Sequence, residues 1–160
     1  MDNKSIHIIG GGTVSYVASH LGTCAPAYGG TARRLNVLCK EKFPKMDVNL
    51  HLTKMACAGA SDLETNEDVE RLIDDLVADD KTRIIFLTSA LVDFGMFDQR
   101  FGKRHSTHAS DKITLTLQAL PKIVTKIRKT RKDILLVAFK QTCGVSPTEE
   151  VIRELRQMDQ

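Results

Sequence analysis

Two hydrophobic periods take turns along the 160-residue chain. SIHIIG, residues 5–10, is a short β-rich run stopped by Gly10, Gly11 and Gly12, and DVNLHL, residues 47–52, alternates strictly. RIIFLTSA (83–90) and DILLVAF (133–139) are near-continuous apolar runs of strand length, the pattern of parallel strands covered on both faces. Between them the period lengthens. Val69, Leu72, Ile73, Leu76 and Val77 recur at three and four, as do Leu120, Ile123, Val124 and Ile127, so each set predicts a helix with one apolar stripe. SPTEE announces a last helix, with Ser146 as N-cap, Pro147 at the first helical position and Glu149 closing a capping box ahead of Val151, Ile152, Leu155 and Met158. KITLTL (112–117) predicts one extra strand inside the third crossover. The β-α-β-α order points to an α/β domain with an open, mostly parallel sheet and right-handed crossovers, spanning 1–160 without repeat or linker.

Charge narrows the choice of partners only slightly. There are 23 Lys+Arg against 20 Asp+Glu, a formal +3, and both signs are dispersed, so no field for a polyanion is evident and nucleic acid is not an expected partner. The cysteines at 24, 39, 57 and 143 form neither C-x-x-C nor a zinc-finger spacing, the usage of a reduced, cytoplasmic protein. The first apolar run is too short for a signal peptide and no later one would span a bilayer, so no membrane partner is expected.

In an open parallel sheet ligands bind beyond the carboxyl ends of the strands, which ranks the loops. Three leave strand ends and should open on one edge: Gly10 to Thr13, the loop after Ser89, and KQTCGVSP after Phe139. They hold many of the glycines and small polar residues that a phosphate site requires. The glycine loop itself reads two ways. Gly10 and Gly12 are spaced as in a dinucleotide fingerprint, but Ser15 replaces the third Gly, the loop runs on through HLGTCAPAYGG, and DVNLHLTKM ends without an acid. Ordinary NAD binding is a poor match, and the glycines either cradle phosphate or simply make a turn. In AYGGTARRL, Gly29 and Gly30 precede a helical run and would offer free N–H groups at its positive end, a second anion site. Asp93 and Asp98 either hold Mg2+ on a triphosphate or serve a turn. His105 and His108 lack companions for a zinc site, and the Lys122–Lys132 basic run reads as a solvated helix face.

The segment from Leu87 to Thr142 adds more than spacing. LTSALVDFG, a loop carrying GKRH, then DKITLTLQALPKIVTKIRK and ILLVAFKQT follow one another in the order of phosphopantothenate-cysteine ligase, the synthetase half of the coenzyme A biosynthetic flavoprotein, which the sequence resembles over nearly its whole length. Gly11 and Thr13 also match that family's T-x-G-x-T. The resemblance implies a Rossmann-like three-layer domain that binds CTP or ATP with Mg2+, activates a carboxylate as an acyl-nucleotide, and lets the amine of cysteine displace the nucleotide. It further implies a homodimer, a small-molecule acid substrate and no tightly bound flavin. Carried over by position, Ala90, Val92, Asp93 and Phe94 match the family's nucleotide-pocket strand end, Lys103 the first Lys of its mobile loop, and Phe139, Lys140 and Thr142 its final motif; together with the loop residues Gly10, Gly11, Gly12, Thr13, Gly29, Gly30 and Arg104 they are the expected nucleotide-binding set, with Lys103 also catalytic and Asp93 the metal candidate. The chain departs from the family pattern in several places. Ala25 stands where the family has an Asn that assists the acyl-nucleotide step, Gln141 replaces a Glu, and the K-x-K-K loop is reduced to Lys103, Arg104, His105 and Ser106.

Overall fold

A computed structural model describes residues 4–96, 112, 114–139, 149, 152, 153 and 156. Four strands make the central sheet: β1 (Ser5–Gly10), β4 (Asp47–Leu52), β5 (Thr82–Leu87) and β8 (Leu135–Ala138), in the order β4-β1-β5-β8. Every pairing in it is parallel. All six residues of β1 are buried, because it is central and covered on both faces. At the edge, β4 keeps the alternation of DVNLHL: Val48, Leu50 and Leu52 pack inward, while Asp47 and Asn49 remain exposed.

The helices α1 (Gly30–Lys42), α2 (Asn66–Ala78) and α3 (Ile123–Thr130) divide between the faces. On one, Ile6 and Ile8 of β1 meet Ala32 and Cys39 of α1. On the other, Ile9, Ile85 and Leu87 meet Val69, Ile73, Leu76 and Val77 of α2 and Ile123 and Ile127 of α3. The result is the three-layer, Rossmann-like α/β architecture. The α2 stripe is the one read from its periodicity, and its start is held by a capping box in which Thr65 Oγ1 accepts from the Asp68 N–H and the Asp68 carboxylate accepts from Thr65 N–H at 2.8 Å. Much of the basic run is engaged in ion pairs: Lys126 reaches Glu70 and Asp74 of α2, and Arg131 reaches Asp133. No helix among the described residues is long and apolar enough to cross a membrane.

Two sequence expectations require correction. The stretch after the glycines is not an open loop. It folds as an antiparallel hairpin, β2 (Thr13–Ala18) with β3 (Leu21–Ala25), since Val14, Tyr16 and Val17 supply β-rich positions and Val17 and Ala18 are buried. The extra strand predicted over 112–117 is displaced: β7 is Leu117–Ala119, paired antiparallel with β6 (Phe94–Met96) in a separate ribbon. Alternation in KITLTL marked β propensity, but Pro121 and the Leu120 N–H donated to Asp93 O locate the pairing nearer the helix. The predicted final helix lies largely outside the described residues, of which Glu149, Ile152, Arg153 and Arg156 are helical.

Candidate functional site at the carboxyl edge of the sheet

Because all four strands run parallel, the loops after β1, β4, β5 and β8 leave from the same edge. From β1 the chain crosses over α1 to β4 on one side, then returns over α2 to β5 on the other, so β1 and β5 flank a topological switch point. Side-chain volume at the crevice is reduced at its root: a Cβ on Gly10 would come within 2.3 Å of Ala32 Cβ, so only glycine lets α1 lie this close to β1. Gly11 has φ 110°, a left-handed backbone, and its Cα faces the Thr53 hydroxyl.

Past the strand ends, the β1 and β5 loops stay joined. Thr88 N–H donates to Ile9 O at 2.9 Å, Ala90 N–H to Gly11 O at 3.0 Å, and Thr13 N–H to Ala90 O at 3.1 Å. Gly12 pairs with Ala90 in a parallel bridge, and its N–H donates to Ala27 O at 2.8 Å. The N–H groups of Gly12 and Thr13 are therefore engaged by protein, and these residues shape the crevice wall. Thr13 is fully buried; its Oγ1 donates to Asn66 Oδ1 at 2.7 Å and accepts from Val92 N–H at 3.0 Å. Asn66 Nδ2 completes the knot by donating to Val92 O at 2.8 Å. Asn66 carries no sequence signal, since its role depends on a contact 26 residues away.

The first turn of α1 lies on the same edge; its N-cap, Gly29, has no side chain to bond the N–H groups, and no acid occupies the first turn. Gly30 faces open space, and Arg33 ties the approach by donating to Tyr28 O at 2.8 Å and to Ala56 O. The positive end of the helix and this guanidinium place cationic character beside the crevice. Asp93 is exposed and accepts from Lys122 Nζ at 2.6 Å. Phe94 and Phe139, each about half exposed, flank the exits of β5 and β8, and Tyr28 is 72% exposed beside α1. Among the described residues there is no cluster of three or more His, Cys, Asp or Glu. Lys103, Arg104 and Lys140, with Asp98, His105 and His108, lie outside the described residues.

The β4 loop, which the sequence reading passed over, closes the other rim. Glu64 accepts from Lys54 Nζ at 2.7 Å and Tyr16 Oη at 2.8 Å, locking the loop to the hairpin. Lys54 and then Tyr16 hold the Glu64 carboxyl below its ordinary range, and Glu64 in turn raises both Lys54 and Tyr16. Two buried hydroxyls on this edge, Thr53 Oγ1 and Ser89 Oγ, have no hydrogen-bond partner among the described residues. Their positions after β4 and β5 were the one signal available in advance. Ala25 ends β3 with its carbonyl against Gly12.

No protein-family model matches the sequence, and no curated protein does. Solved structures do. The DNA/pantothenate metabolism flavoprotein from Streptococcus pneumoniae superposes with a TM-score of 0.75 at 15% identity, covering 97% of this chain and 78% of that one. The C-terminal domain of the coenzyme A biosynthesis bifunctional protein CoaBC superposes at 0.66 and 13% identity, covering 99% of this chain and 74% of that one. Both share this chain's fold. At these identities the likeness is one of architecture, over nearly the whole of this chain.

Proposed function

We propose that the chain binds CTP or ATP, with Mg2+, in the crevice between β1 and β5 and acts as a phosphopantothenate-cysteine ligase-like enzyme. The observation that carries this reading is the fold likeness over nearly the whole chain to proteins of pantothenate metabolism and coenzyme A biosynthesis, coinciding with the motif order from Leu87 to Thr142. In the proposed reaction a substrate carboxylate attacks the α-phosphorus, pyrophosphate leaves, and the amine of cysteine attacks the acyl carbon to give the amide and the nucleoside monophosphate. The start of α1 at Gly29 and Gly30 would face phosphate, with Phe94 or Phe139 against the base. Asp93 is the carboxylate for the metal, which must compete with Lys122 for it. Lys103 and Arg104 would neutralise charge gathering on the triphosphate in the transition state. Homodimerisation and a cytoplasmic location belong to the same reading.

Ala25, in place of the family's Asn, favours a second reading: the same acyl-nucleotide chemistry on another carboxylate, or binding of the nucleotide without turnover. One experiment separates them. Pyrophosphate release from CTP or ATP is measured with cysteine against phosphopantothenate and a panel of other acids, alongside the thermal midpoint with each nucleotide. Release with phosphopantothenate supports the first reading, and release with another acid alone supports the second. A raised midpoint without release leaves a binding protein, and an unchanged midpoint at saturating nucleotide of every base excludes the site.

A further inference from the structure

In the loop after β5, the backbone is fixed on both sides of the Asp93 side chain. Ahead of it, Val92 N–H donates to Thr13 Oγ1 at 3.0 Å and to Asn66 Oδ1 at 3.1 Å, and Val92 O accepts from Asn66 Nδ2 at 2.8 Å. Behind it, Asp93 O accepts from the Leu120 N–H at 2.9 Å, which extends by one rung the ribbon that pairs Phe94 with Ala119. Gly95 lets that ribbon close, since a Cβ there would stand 3.0 Å from Leu120 Cδ2. The carboxylate itself is open to solvent, with 63% of the side-chain surface exposed. A backbone held this firmly under an exposed acid aims the acid at something.

Its partner is placed against local electrostatics. Lys122 is the N-cap of α3 and has no side-chain oxygen to bond the N–H groups, and no acid occupies the first turn. A cation there meets the positive end of the helix, which disfavours it. What Lys122 does make is an ion pair, Nζ to Asp93 Oδ1 at 2.6 Å, with about half of its own side chain exposed. Exposed pairs contribute little to folding, so neither the helix nor stability accounts for a lysine at this position. Asp93 Oδ2 has no partner among the described residues. A single open carboxylate fits Mg2+, which keeps several waters and takes one or two carboxylates beside the phosphates of its nucleotide.

We infer that Asp93 and Lys122 form an exchangeable pair in the proposed nucleotide site: Lys122 Nζ passes to a phosphate oxygen, and the Asp93 carboxylate it releases passes to the nucleotide's Mg2+. The inference rests on the nucleotide reading and adds to it the device that couples nucleotide to metal. In the free protein each member of the pair neutralises the other. On binding they part toward opposite charges of one ligand, so nucleotide and metal each ease the entry of the other by the same factor.

Isothermal titration calorimetry of the full chain with CTP and with ATP, in EDTA and again with excess Mg2+, tests the exchange in wild type, Asp93→Asn, Lys122→Met and Lys122→Arg. The pair is exposed, so all four proteins should fold. A fixed salt bridge would make the two removals act alike, whereas the exchange makes them act oppositely. In EDTA, Asp93→Asn frees Lys122 and removes a charge that repels phosphate, so it should bind about fivefold more tightly, and Lys122→Met should bind about fivefold more weakly. The gain on adding Mg2+ should shrink in Asp93→Asn and grow in Lys122→Met, while Lys122→Arg follows wild type in both conditions. Metal-free affinities that move in the same direction in the two removals, or an Mg2+ gain that Asp93→Asn leaves unchanged, overturn the exchange while nucleotide binding stands. A wild type that binds neither nucleotide in either condition overturns the nucleotide reading, and the exchange with it.

Discussion

Thr13 measures how far the crevice wall depends on one buried hydroxyl. Thr13→Val keeps the shape but removes the donor to Asn66 Oδ1 at 2.7 Å and one of two acceptors for Val92 N–H, the other being Asn66 Oδ1 at 3.1 Å. Losing the first hydrogen bond costs about 1 kcal/mol, and leaving a methyl against two polar groups in a fully buried position adds about as much, for a total of about 2 kcal/mol. With an m-value of about 2 kcal/mol/M, the urea midpoint should fall by about 1 M. Thr13→Ser retains the hydroxyl and loses one buried methyl, about 0.8 kcal/mol. Equilibrium unfolding followed by circular dichroism should therefore rank wild type above Ser and Ser above Val. If Val matches wild type, or Ser falls below Val, the knot does not hold the wall and packing alone does.

Gly10→Ala should destabilise by about 1–3 kcal/mol through overpacking against Ala32, and Ala32→Gly should rescue part of it despite its own cost of about 1 kcal/mol in a helix; additive losses in the double variant would refute the contact. Burial holds both His7 and His51 below the ordinary 6.5, His51 at about 4, so the unfolded chain binds more protons across that window. Stability should be fully present above about pH 6.5 and fall on acidification toward pH 4, and His51→Gln should flatten thermal midpoints measured between pH 7 and 5; an unchanged slope would show that other groups set it. Lys103→Ala should weaken nucleotide binding while leaving the unfolding free energy within about 0.5 kcal/mol of wild type, and the reverse pattern would remove Lys103 from the proposed site.

Where a residue's role is set by its sequence neighbours, it could be read in advance. The four sheet strands, the α2 stripe at Val69, Ile73, Leu76 and Val77, and the shared edge for the loops all follow from hydrophobic period and the parallel-sheet rule. Gly29 and Gly30 before α1 were legible for the same reason. Tertiary structure alone decided how the glycine loop is used: Gly10 admits α1, Gly12 donates to Ala27, and Thr13 ties Asn66 to Val92. It also decided that residues 13–25 form a hairpin and that β4 is an edge. Those outcomes rest on contacts between residues distant in the chain, where hydrogen bonding and close packing compete with local propensity and win because buried polar groups must be satisfied wherever the fold brings them.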